Sequence, residues 1–128
     1  MLNSWQILDY TVVGINKKEV DDLQLGISPI IFDDEGEIAI GDNIVIFQHP
    51  KGRPKEFSHE KVTKIDKPFV YYKADTDTGS SGSPVLKNLE VIAVHHKGNE
   101  EELYNKGTLC SEILSHLNTG NCKYFKNC

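Results

Sequence analysis

The stretch Ala74-Asp75-Thr76-Asp77-Thr78-Gly79-Ser80-Ser81-Gly82-Ser83-Pro84-Val85 limits this chain more than any other. Small residues crowd around two adjacent serines, and an apolar β-type run follows at once. Gly79 and Gly82 permit a tight turn with unusual dihedrals and leave room for a ligand to approach the backbone. A nucleophilic serine needs such a turn, because its hydroxyl must be exposed and nearby N–H groups must meet an oxyanion. The same string also reads as a Ser/Gly-rich turn joining two strands. Either way, it sits in a β context.

Candidate strands are Tyr10–Ile15, Ser28–Phe32, Asn43–Gln48, Lys55–Ile65, Phe69–Lys73, Ser83–Leu86 and Val91–His96. Turn signals such as Asp33-Asp34-Glu35-Gly36, Pro50-Lys51-Gly52 and Gly98-Asn99 separate them. Short strands with frequent turns favour a barrel or sandwich over a parallel sheet. Leu109, Ile113, Leu114 and Leu117 form one apolar stripe, which predicts a short helix near the C-terminus.

Four motifs together carry a family resemblance. Gly79-Ser80-Ser81-Gly82-Ser83-Pro84-Val85 resembles the nucleophile loop of chymotrypsin-fold serine peptidases, in the trypsin-like peptidase branch that includes glutamyl endopeptidases. Glu90-Val91-Ile92-Ala93-Val94-His95-His96-Lys97-Gly98 resembles the strand that walls the specificity pocket. Val45-Ile46-Phe47-Gln48-His49-Pro50-Lys51-Gly52 resembles a strand and turn early in the second barrel. Leu8-Asp9-Tyr10-Thr11-Val12-Val13-Gly14-Ile15 has the form of the triad aspartate followed by an apolar strand. The motifs occur in the family's order, and the resemblance runs from about residue 5 to 118.

The resemblance implies an all-β, chymotrypsin-like β-barrel: the C-terminal barrel plus the last strand of the N-terminal barrel, with a short C-terminal helix. Residues 1–16 would be a first-barrel remnant, 17–42 the linker, 43–118 the second barrel and 119–128 a Cys-containing tail. It implies Ser81 as nucleophile, Asp9 as triad acid, and the N–H groups of Gly79 and Ser81 as oxyanion hole. The ligand would be a peptide or protein substrate, with no cofactor. Ser80 replaces the aspartate that many trypsin relatives carry before the nucleophile, so activation by a new N-terminal amine is not expected. His95 falls where glutamyl endopeptidases recognise an acidic P1 side chain. Asp75 resembles the pocket-floor acid that selects Lys or Arg, so P1 choice stays open. His96 would point the other way along the strand, within reach of the triad aspartate. Lys97 would end a peptide-docking strand, Val91–Lys97, and a satisfied polar role remains open for each of these side chains.

One expected element is missing. The family's general-base histidine precedes the aspartate, yet His49, His59, His95, His96 and His116 all follow Asp9. The chain has 128 residues, against roughly 200–250 for many one-domain β-barrel proteins. It therefore reads as N-terminally truncated, with the histidine lost, supplied by a second chain, or absent in an inactive peptide-binding module. An orphan Tyr10–Ile15 strand would expose an apolar face and favour self-association or a second chain completing the first barrel. His49, His59 and His116 read as solvated. No Gly-x-Ser-x-Gly elbow is present, since Ser83 is the second residue after Ser81.

Composition narrows the remaining classes. A net charge of −5 and acidic clusters at Asp21-Asp22, Asp33–Glu37 and Glu100–Glu102 argue against a broad nucleic-acid-binding surface. No apolar run approaches the roughly 20 residues that cross a bilayer, and Met1 is not followed by a secretory leader pattern. Cys110, Cys122 and Cys128 lack zinc-site spacing, so no metal is expected. A reduced set in the cytoplasm is the preferred reading; a Cys122–Cys128 loop in an oxidising compartment is the alternative.

Overall fold

A computed structural model of the chain describes residues 8–23, 37–73, 79–99 and 104–119, with backbone alone for 97–99 and 119. Its centre is a closed barrel built from β1 (Asn43–Gln48), β2 (Glu56–Asp66), β3 (Phe69–Tyr72), β4 (Pro84–Lys87), β5 (Glu90–Asn99) and β6 (Tyr104–Leu109). The strand order is β1-β2-β3-β6-β5-β4, and every neighbouring pair is antiparallel. Closure leaves no unpaired barrel edge. A helix α1 (Lys17–Asp22) precedes the barrel, a 3-10 turn (Pro50–Gly52) links β1 to β2, and helix α2 (Cys110–Thr119) follows β6 without a break.

Alternation along each strand fills the interior. Ile44 and Ile46 of β1, Val62 of β2, Val70 and Tyr72 of β3, Val85 of β4, Ile92 and Ala93 of β5 and Leu109 form one buried cluster. Leu86, Val91 and Cys110 form a second, beneath α2. Cys110 is therefore buried within this second cluster, where a thiol packs as a small hydrophobe. Outside the barrel wall, Lys87 bridges Asp42 at 2.7 Å and holds its carboxyl below the usual carboxylate range.

The predicted strands from Asn43 onward agree with β1 to β5 to within a few residues at their ends. Three differences stand out. Residues 10–16 form no strand and have no sheet pairing among the described residues, and Val13 and Ile15 are exposed. The expected linker contains α1, which Asn16 caps by accepting from Lys18 N–H. β6 was not predicted, because its inward positions are Asn105 and Gly107 and give no apolar alternation. The predicted Ser28–Phe32 strand and the Cys122 and Cys128 tail lie outside the described residues. No helix among the described residues is long and apolar enough to cross a membrane.

Candidate functional site

The Gly79–Ser83 turn is tied to β5 at one residue. Gly82 N–H donates to His95 O (2.7 Å), His95 N–H donates to Ser83 O (2.8 Å), and Ser83 N–H closes the turn on Ser80 O (3.1 Å). Gly79 and Gly82 have φ of +99° and +86°, a region that L side chains rarely adopt. This winding separates the two serines. Ser80 is buried and its hydroxyl donates to Gln48 Oε1 at 2.7 Å. Ser81 is exposed, and its Oγ donates a long bond of 3.4 Å to His96 O.

Ser81 lies between two cavities. One, of about 500 Å³, is lined by Asp9, Tyr10, Ser81, Gly82, His95 and His96 among others. Asp9 therefore reaches the serine's side of the barrel although 72 residues separate the two in sequence. Its segment is pinned at three successive residues. Thr108 Oγ1 donates to Leu8 O at 2.7 Å, Asp9 Oδ2 lies 3.1 Å from His96 Nδ1, and Tyr10 Oη lies 2.7 Å from His116 Nδ1. Asp9 itself sits at φ +48°, a left-handed conformation that Asp tolerates better than most residues.

His95 and His96 line the same cavity, contrary to the expectation that strand neighbours diverge. The cause is a bulge. His95 pairs with Gly107 and Lys97 with Lys106, so two steps on β5 oppose one on β6. The extra residue is His96, and such an insertion re-aims side chains locally. His96 is thereby set against Asp9, and the Phe69 ring lies 5.6 Å away.

His95 lines this cavity at only 3% exposure, with Nδ1 2.7 Å from Tyr72 Oη. Burial first, and the neighbouring His96 second, push its pKa down to about 4. The imidazole is therefore neutral at pH 7. Burial likewise pushes the Tyr72 phenol up, so it stays protonated. Gly107 makes room for this pair: a Cβ there would meet Tyr72 Oη at 3.2 Å and Val94 O at 3.0 Å.

Asp75 lies outside the described residues, and Lys97 is described only as backbone on β5. Gly79 backs onto the turn after β1, where a Cβ would meet His49 O at 3.5 Å. His116, expected to be solvated, instead anchors Tyr10. His49 is exposed, with Nδ1 3.1 Å from Arg53 O. Sequence reasoning also missed Gln48, Tyr72 and Thr108. Gln48 alone left a signal, as a polar residue at the third inward position of β1 after Ile44 and Ile46. Among the described residues no cluster of His, Cys, Asp and Glu has metal-binding geometry.

Residues 2–94 match the trypsin-like peptidase domain family. The chain is 32% identical over 108 residues to the uncharacterized protein y4fB of Sinorhizobium fredii, covering 71% of this chain and 16% of that protein. The active form of the Rv3671c protease of M. tuberculosis superposes with a TM-score of 0.64 at 18% identity, over 73% of this chain and 48% of that one. A Glu endopeptidase gives 0.59 at 24% identity (75% and 47%). The inactivated protease paralogue S-I1 of the scabies mite gives 0.61 at 11% (71% and 51%). The chain thus spans about half the length of these structures and a smaller part of y4fB, and at these identities the structural likeness is one of fold.

Proposed function

Since the chain belongs to the trypsin-like peptidase domain family, we propose that it carries the nucleophile and acid of a serine endopeptidase centre. The observation that carries this reading is that Ser81 and Asp9 line one cavity, with Ser81 exposed on a glycine-bounded turn. Ser81 Oγ adds to the scissile carbonyl, and the N–H groups of Gly79 and Ser81 face the oxyanion. An imidazole takes the hydroxyl proton and passes it to the leaving amine, and water then hydrolyses the acyl-enzyme. Asp9 orients that imidazole. The base is taken to come from another polypeptide segment, since His96, the histidine beside Ser81 in this chain, offers the serine its backbone carbonyl while its ring is set against Asp9.

The substrate docks along β5, and His95 meets the side chain before the scissile bond. A neutral His95 contributes a hydrogen bond without charge, so an acidic side chain gains no ion pair there. Asp75 keeps a basic side chain as the competing choice. The working test is a burst of nitrophenol from a p-nitrophenyl ester, run with and without added imidazole as a diffusible base. A burst that imidazole enlarges and that Ser81→Ala abolishes supports the proposal.

A second reading is a peptide-binding domain without catalysis. The carbonyl-bonded Ser81 hydroxyl favours it, and the scabies mite neighbour is itself named an inactivated paralogue. An extended ligand would still add along β5 by main-chain hydrogen bonds. Peptide binding with no burst at any imidazole concentration would select this reading.

A further inference from the structure

The second cavity beside Ser81, about 360 Å³, is lined by Phe47, His49, Lys55, Gly79 and Pro84 among others. Alternation on β1 turns Ile44, Ile46 and Gln48 inward and leaves Phe47 on the outer face. Phe57 of β2 is its direct cross-strand partner, with ring centroids 6.2 Å apart, and His59 meets the Phe57 ring edge-on at 5.6 Å. Such a pair stabilises the two strands by packing against each other. That packing does not cover them: Phe47 is 40% and Phe57 63% exposed. The two rings make one apolar surface that continues into the cavity lined by Phe47, the kind of surface that a ligand side chain can cover.

We propose that Phe47 and Phe57, with the cavity between Phe47 and Ser81, form a subsite for an aromatic or large apolar side chain just downstream of the cleaved bond. This rests on the reading of Ser81 as nucleophile. A substrate chain that crosses Ser81 has one half along β5, beside His95 and His96. Its other half must leave past Gly79, over the cavity that Phe47 walls. Lys55 on that wall adds a single positive charge, which suits a neutral or acidic flanking residue and disfavours a basic one.

The test is fluorescence anisotropy with N-terminally fluoresceinated peptides, identical except for Ser or Phe at the first, second or third position after the candidate bond. Both the unmodified chain and Ser81→Ala are titrated. Phe at one of those positions is expected to tighten binding about tenfold over Ser, the scale set by burying part of an aromatic ring. Phe57→Ser, at a position 63% exposed, and Phe47→Ser, each first shown to unfold cooperatively, should cut that gain to about twofold or less. A gain below about twofold at every position, a gain that survives both substitutions, or no measurable binding of any peptide overturns the subsite. Failure of the nucleophile reading is seen separately. Ser81→Ala retains the Phe gain whether or not Ser81 reacts, so an unreactive Ser81 with an intact gain removes catalysis and keeps the subsite.

Discussion

Tyr72 Oη and His95 Nδ1 lie 2.7 Å apart in the barrel wall, and this contact joins the packing of β3 to the candidate site on β5. It fixes the ring of a histidine that burial keeps neutral. The consequence is a pH dependence with a definite sign. The unfolded chain binds the His95 proton near pH 6.5, and the folded chain only near pH 4. Stability from this residue is thus full above the unfolded value and is lost as pH falls through that window, by roughly 3 kcal/mol at its lower end. Urea unfolding at about pH 7 and pH 4.5 should show the loss, and His95→Gln should flatten it. A stability that rises on acidification would contradict the assignment.

The same neutrality bears on specificity. Peptides with Gln before the candidate bond should bind Ser81→Ala at least as tightly as those with Glu, because the carboxylate must shed water without meeting a charge. A preference for Glu of about tenfold or more would mean that the imidazole is cationic when occupied.

Ser80 and Ser81 are neighbours with opposite fates. Ser80→Ala removes the buried donor to Gln48 and should cost about 1–2 kcal/mol in denaturant unfolding. Ser81→Ala, on an exposed hydroxyl, should change stability by about 0.5 kcal/mol or less. The reverse order would show that the turn is wound differently.

Gly107 is required by space. A methyl group there would meet the Val94 carbonyl at 3.0 Å and Ala93 Cβ at 3.3 Å. Gly107→Ala should therefore destabilise the barrel by about 1–3 kcal/mol. It should also shift the resonances of the Tyr72 and His95 rings together, which NMR would detect.

Asp9→Asn separates orientation from stability. The Asp9 side chain is 69% exposed at its contact with His96, so the loss in stability should be within about 1 kcal/mol. The imidazole-assisted burst should nevertheless weaken. An unchanged burst would remove Asp9 from the account.

The barrel was legible from Asn43 onward because alternating apolar residues and glycine or proline turns mark each strand. β6 was hidden because its interior positions include the polar Asn105 and Gly107, the latter set by close approach to Tyr72 and β5 and not by hydrophobicity. Tyr10–Ile15 has the composition of a strand but finds no open sheet edge among the described residues, since β1 to β6 close on one another. Ser81 and Asp9 entered as candidates through the resemblance of their local motifs, and the structure brings both to the lining of one cavity. The bulge that puts His95 and His96 on one cavity could not be read from the sequence, because it arises from register against β6. Tyr72, Thr108 and His116 act through contacts with residues 23, 100 and 106 positions away, which no local pattern encodes.

If Ser81 is the nucleophile, it is the serine that an activated-serine probe captures. The most direct test is labelling of the folded chain with a fluorophosphonate, in the presence of imidazole, followed by mass mapping of the adduct. The adduct is expected on Ser81, persisting in Ser80→Ala and disappearing in Ser81→Ala. An adduct on Ser80, or none above the Ser81→Ala background, would contradict that role.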